Sequence, residues 1–342
     1  MAKKYGYPES VQELLKKRDC RRLSIKKFKD VEDTDEELGK ELEERKEKFY
    51  DEVPDVIDEK KQELEDIRSE KKEKLSRISG KLDDLRQKID KNKSSREIVS
   101  LIVNFFKAQK VKIKGAWAKR KAKKAEQEKQ REISRWEDNP EEIFEERNKE
   151  LIRKKETVER IKDSSDYSGA LGELKALKEL SKLGDEYRVL CGLNIRLNKY
   201  ITYNGERNLK SAQMDFVVVS KKGVFLLEVK NWSNKYCKNN KGLSPHEQVS
   251  RAGRVLYVFL KSKLGIGGKA LTSLLVPIQN NMSYDSNYKH VLVKSISNLN
   301  NFITNQEGVY TDSEIQKVVG TLKPHITKKS NDYALQEDLK SL

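Results

Sequence analysis

The sequence predicts an α+β chain: an all-α arm over residues 1–165, as a coiled coil or helical hairpins, then an α/β core over 166–342. Three observations predict it. Charged residues make up 37% of the 342 positions and hydrophobic ones 35%, against roughly 25% charged in an ordinary domain. Residues 1–168 hold 46 Lys/Arg and 41 Asp/Glu, whereas 169–342 hold 26 and 15, so the net charge of +16 divides as +5 and +11. The first half has too few apolar side chains to offset chain entropy with a thick core. The second half has runs such as Phe216-Val217-Val218-Val219 and Val224-Phe225-Leu226-Leu227 that a sheet can bury.

Within the arm, apolar positions recur at helical spacing. Leu75, Ile78, Leu82, Leu85 and Ile89 form the a/d seam of a coiled coil. The jump from Ile67 to Leu75 breaks the heptad register, so shorter helices folded into hairpins are expected rather than one long rod. Pro54, the 92–95 stretch, Gly115 and Asn139-Pro140 mark the breaks. They give helices over 9–29, 33–50, 54–90, 95–109, 116–137 and 140–163. Ser94 with Glu97, and Asn139 with Pro140 and Glu142, are helix-start signals. An apolar seam on so charged a helix needs a partner, which predicts a homo-oligomer joined through the arm. Residues 107–135 carry twelve Lys/Arg and three Glu, either as a phosphate-contacting helix or as a solvated face. The preceding Ile98–Phe106 reads as a buried core or dimer helix, with a place on a membrane surface as the alternative. Trp117 and Trp136 are expected to pack helices together.

Several classes drop out. No apolar stretch approaches the ~20 residues of a membrane span. The N-terminus has no apolar core of a signal peptide. Cys20, Cys191 and Cys237 lie too far apart for a disulfide framework or a zinc site, and the three histidines are scattered. A cytoplasmic protein is expected, and its positive charge favours polyanionic partners, most simply nucleic acid.

The chemistry concentrates in Gln213–Lys230, two strands around a Lys221-Lys222-Gly223 turn. With Lys221-Lys222 as the loop, Ser220 pairs with Gly223 and Asp215 faces Glu228 across the hairpin. Lys230 then lies on the same face as Glu228. Both faces are otherwise apolar, which implies helices covering each side. Two facing carboxylates repel, and a divalent cation such as Mg²⁺ resolves the conflict. Lys230 beside them can orient an attacking water or stabilise charge on a phosphate, which points to metal-dependent phosphodiester cleavage. Solvated groups at strand ends are the bland alternative. Glu173, on a helix over 169–180, shares a face with Ala170, Leu177 and Leu180 and needs a partner, while Gly172 permits close approach beside it. An ordinary helix-edge Glu paired with a lysine is the other reading. Ser244-Pro245-His246-Glu247 is a capping box for a helix to Leu264, and places Gln248 in the first turn, to meet a phosphate or simply to face solvent.

These residues resemble the nuclease-related domain (NERD) family of the PD-(D/E)XK, restriction-endonuclease-like nucleases. The likeness runs through Gly169-x-x-Gly172-Glu173, Gln213-Met214-Asp215, Gly223-Val224-Phe225, Glu228-Val229-Lys230-Asn231 and Ser244-Pro245-x-x-Gln248. It spans 169–264, and strands at 274–278 and 291–293 with a helix near 312–322 would complete a central mixed sheet flanked by helices. The resemblance implies metal ligation by Asp215, Glu228 and Glu173, a catalytic Lys230, an accessory Gln248, and Mg²⁺ or Mn²⁺ as cofactor. It also implies nucleic acid as partner, DNA before RNA. Such domains with appended helices resemble modules of bacterial defence or DNA-processing systems. Met214 stands where the motif has proline, and Ser244 where the family has asparagine; neither is a metal ligand. The rival readings are a non-catalytic, nucleic-acid-binding coiled-coil scaffold and an assembly or membrane-surface protein acting through 98–124.

Overall fold

The computed structural model describes every residue except 96–97, 233–243, 266–270, 280–281, 283–284 and 328–331. The Ser94–Glu97 cap and Cys237 therefore lie outside the described residues. The chain divides into two compact units: Met1–Glu37 with Lys154–Leu342, and Leu38–Arg153.

The first unit is built on a six-stranded mixed sheet in sequence order. Its strands are β1 (Lys3–Tyr5), β2 (Arg188–Tyr203), β3 (Glu206–Ser220), β4 (Gly223–Lys230), β5 (Leu271–Pro277) and β6 (Val291–Val293). β2, β3 and β4 form an antiparallel meander, and β1, β5 and β6 add in parallel at the two sides. The β3–β4 register is the expected one, with Ser220 opposite Gly223 and Phe216 opposite Leu227. Asn204 and Gly205, at φ 50° and 84°, close the β2–β3 hairpin as a two-residue loop of type I′ character. Helix α7 (Pro245–Leu264) crosses between β4 and β5; its Leu256 and Phe259 pack on Val217, Val224 and Leu226. Strand alternation sends Phe225 and Leu227 to the other face, where α6 (Ser165–Leu180) meets β4. Helices α8 (Ile296–Thr304), α9 (Asp312–Leu322) and α10 (Asp332–Ser341) complete the unit.

Residues 1–37 belong to this unit and not to the arm. β1 pairs with β2, and α1 (Glu9–Lys16) packs on α6, with α2 (Arg18–Arg22) following. The link onward is also local: both Lys155 (2.5 Å) and Lys162 (2.7 Å) pair with Asp35.

The second unit is helical, and its helices are longer than the sequence predicts. α3 spans Lys29–Ser95, α4 Ile98–Asp138 and α5 Pro140–Lys162. Pro54 sits inside α3 without ending it. Pro54 is exposed, so water can take the carbonyl it leaves free, and Phe49, Val53, Trp136, Ile143 and Phe144 form a buried cluster around that turn. The register break is filled: Lys71, between Ile67 and Leu75, pairs with Glu126 at 2.9 Å. With Lys61–Glu137 (2.8 Å) and Lys129–Glu63 (2.6 Å), this pair sets α3 and α4 antiparallel. The seam residues Leu75 to Ile89 are half-buried between exposed neighbours. On the α4 side, a Cβ on Gly115 would stand 3.1 Å from Ile78 Cγ2. α4 of the same chain thus packs against this seam at Ile78. Gly115 is a packing contact, not a break. Trp136 is buried as expected, but Trp117 is 72% exposed, and Ile98 to Phe106 is largely exposed and so is not core. Among the described residues, no helix is long and apolar enough to cross a membrane.

This division makes a prediction. Deleting residues 1–165 should give insoluble protein, because it strips β1 and α1 from the sheet unit. Excising Leu38–Arg153 and joining Glu37 to Lys154 by a short Gly-Ser linker should leave a soluble domain melting within a few degrees of the full chain. Circular dichroism melts of the two truncations check it; an unfolded excision variant would show that the sheet unit depends on the hairpin.

Candidate active site

Four of the five expected site residues come together where β3, β4 and α6 meet. Lys230 Nζ lies 2.7 Å from Glu228 Oε1, and both side chains are largely buried. Regular pairing of β3 with β4 stops at Phe216–Leu227. Asp215 therefore does not simply face Glu228: its Oδ2 accepts the Val229 N–H at 2.7 Å, tying the diverging strand ends together. Glu173, 7% exposed, comes from α6, and its Oε2 accepts the Ser10 N–H at 3.3 Å. The Ser164 side chain caps α6 and starts the helix early enough to put Glu173 on its buried face.

The acids perturb one another. Burial first, then the charges of Glu228 and Glu173, hold the Asp215 carboxyl well above the usual carboxylate range. Burial raises Glu173 to about 7, with Glu228 and Glu9 adding to the rise and the Ser10 donors opposing it. Burial alone would lower the Lys230 ammonium, but Glu228 and Asp215 outweigh it and raise its pKa. The lysine is the cation this acidic cluster already holds.

A cavity of about 450 Å³ opens here, lined by Ser168, Glu173, Asp215, Lys230, Asn231 and Trp232 among others. Asn231 is anchored through its Nδ2, which donates to Ser168 O at 2.7 Å, so the remaining amide oxygen is fixed as an acceptor. That Oδ1 is buried and has no hydrogen-bond partner among the described residues. Lys230 Nζ also sits 5.5 Å over the Trp232 ring. Gln248 is different. It does not line this cavity, and its buried Oε1 has no partner among the described residues. Its helix does start as expected, with Ser244 accepting the Glu247 N–H.

The contribution from α1 has no motif in the sequence to announce it. Ser10 donates to Glu173, and Glu9, raised by burial and by Glu13, adds a further acid nearby. Three carboxylates around a buried lysine are a hard-oxygen donor set, which suits a divalent cation. Among the described residues, however, no group of three His, Cys, Asp or Glu converges to hold a metal ion. Each acid is committed elsewhere, to Lys230, to the Val229 N–H or to the Ser10 N–H. The donors fit a cation in kind, and at least one of those hydrogen bonds would give way to it.

The sheet unit thus carries a buried acidic cluster and a lysine on adjoining elements of a mixed sheet. Residues 168–278 match the family model of the nuclease-related domain, NERD, from the first turn of α6 to just past β5. No curated protein and no solved structure matches the chain.

Gly172 makes the position of Glu173 testable. A Cβ there would fall 2.7 Å from Asn231 Cβ, closer than real contacts allow. Gly172→Ala should push α6 away from the β4 end and destabilise the protein by about 1–3 kcal/mol. Displacing Glu173 by even a fraction of an ångström should cut turnover on the order of 100-fold. Melting curves and initial rates on the same preparation check both effects. Unchanged values for both would show that the helix has room.

Proposed function

We propose that the sheet unit is a divalent-metal-dependent nuclease hydrolysing phosphodiester bonds, with DNA as its substrate and Mg²⁺ or Mn²⁺ as its metal. The observation that carries this is the Lys230–Glu228 pair set among Asp215 and Glu173 in an open cavity, inside the segment that matches the nuclease-related domain. Asp215, Glu228 and Glu173 would hold the cation, which when bound polarises the phosphate and acidifies a water. Lys230 orients the attacking water and offsets the charge that grows on the phosphate. The Asn231 oxygen, fixed as an acceptor, can take a hydrogen bond from that water. Trp232, beside Lys230 at the cavity, offers a face for a base. A place in bacterial defence or DNA processing rests on the resemblance of the domain arrangement alone.

The test is incubation with plasmid, linear duplex and single-stranded substrates, with Mg²⁺, Mn²⁺ or EDTA. Cleavage of DNA with either metal and none in EDTA is expected; full activity in EDTA would falsify the site assignment. That no three acids converge on one point among the described residues favours a second reading, a non-catalytic nucleic-acid-binding scaffold. Binding without cleavage under every metal condition would decide for it.

A further inference from the structure

The exposed apolar residues of α4 have no role in the site just described. At 100° per residue, Ile98, Val99, Ile102, Phe105, Phe106 and Trp117 fall within an arc of about 120°. All six are exposed, Val99 at 78% and Phe106 at 64%. They run for about 28 Å along the helix at 1.5 Å per residue. Leu101, Asn104, Ala108, Val111 and Gly115, the half-buried or buried positions, lie on the opposite side, where Gly115 approaches Ile78 of α3. The stripe is therefore a second apolar face, not the packing seam. So large an apolar patch on a charged arm marks an interaction surface.

Charge identifies the occupant. Residues 98–124 contain nine Lys/Arg and no Asp or Glu. Lys112 and Lys119 border the stripe on one side, and Lys107, Lys110 and Lys114 on the other. Of the nine, Lys124 has an ion pair, to Glu128 at 3.8 Å. A second copy of the chain would lay this acid-free strip against itself. Laid against α3 it would meet acids already paired, Glu73 with Arg77, Asp83 with Arg86 and Asp84 with Lys88. A nucleic acid would satisfy the lysines but leave Ile, Val and Phe side chains in water. An anionic bilayer answers both: apolar side chains enter the boundary of the acyl chains while lysines snorkel to headgroup phosphates. We propose that this face of α4 docks the protein, lying in plane, on an anionic lipid membrane.

The experiment is flotation of the full-length protein with phosphatidylcholine vesicles and with mixed phosphatidylcholine–phosphatidylglycerol vesicles. Binding to the mixed vesicles and little to the neutral ones is expected. Phe105→Ser with Phe106→Ser should weaken it by about a hundredfold or more, since two buried rings are lost. Lys112→Gln with Lys119→Gln should cost roughly fivefold per lysine and reduce the salt sensitivity. Trp117 emission should shift to the blue on the mixed vesicles, and Trp117→Phe should lose that change. All these residues are exposed, so helix content by circular dichroism should match the parent. No flotation, or flotation indifferent to the Phe pair, would overturn the proposal. It would also fall if the Phe variant turned a lipid-free dimer into a monomer without vesicle binding in the parent, marking a self-association face. Loss of duplex DNA binding in the Phe variant, with no vesicle binding in the parent, would reassign the face to nucleic acid.

Discussion

Glu228→Gln should leave a folded protein whose DNA cleavage has fallen by about 10²–10⁴-fold, the range for losing one essential polar group from a dry site. Gln keeps the size of Glu228 and a hydrogen-bonding oxygen for Lys230, so packing is preserved while a metal-binding charge is removed. In the metal-free protein it also relieves the like-charge repulsion that Glu228 exerts on Asp215 and Glu173. Its melting temperature should therefore hold or rise. Lys230→Ala should be as inactive but different in stability. The ammonium is largely buried and is the partner of Glu228, so its removal leaves buried carboxylates with no cation. Breaking a buried pair from one side costs about 3–5 kcal/mol. Side-by-side rates and melts in EDTA separate the two effects. A Lys230→Ala protein as stable as the parent would show that the acids are held neutral by another route. An active Glu228→Gln would remove Glu228 from the site.

The β3–β4 hairpin was legible because its loop, its apolar faces and its three charged groups agree on one register, and the structure has that register up to Phe216–Leu227. The last step was not legible: strands that diverge at Asp215 replace a facing pair by a side chain bonded to the Val229 N–H. The Ser244 cap and the ends of α7 follow from local chemistry, and the structure shows them. β1 could not be read. A Lys-Lys-Tyr segment has no strand signature of its own, and its strand state comes from pairing with β2. Ser10 acts on Glu173 through its backbone, which no side-chain motif announces. In the arm, apolar periodicity failed where other forces took over. The ion pair of Lys71 with Glu126 carries α3 through a gap in the seam. Gly115, where α4 approaches Ile78, does not stand out as apolar. Asn204-Gly205, by contrast, was a strong hairpin signal in plain view, and it explains why β2 and β3 are so long.

In EDTA, the protein should melt at a lower temperature at pH 7.5 than at pH 5. Folding lifts Glu173 from 4.5 to about 7, through burial first and the Glu228 and Glu9 charges next, and it lifts Asp215 as well. Above the ordinary carboxylate range the unfolded chain has already released these protons while the folded chain still holds them. The folded state then binds more protons, so stability falls as pH rises toward the folded value. For Glu173 alone, the 2.5-unit rise corresponds to about 3 kcal/mol. At 2–4 °C per kcal/mol, that is on the order of 6–12 °C for a domain of this size. Glu9, raised by burial first and the Glu13 charge next, titrates in the same direction and adds to the slope. Asp35, Glu70 and Glu132 are shifted down, so their stabilisation is lost only below about 4.5. The rise of Lys230 matters only above its ordinary 10.5. Glu173→Gln should flatten the pH 5 to 7.5 slope by the share of that residue. Mg²⁺ or Mn²⁺ added at pH 7.5 should raise the melting temperature of the parent, because a cation replaces protons as the partner of the acids. A melting temperature that stays level or climbs from pH 5 to 7.5 in EDTA would mean the acids are not crowded together in solution. A fall of equal size in Glu173→Gln would place the titrating group elsewhere.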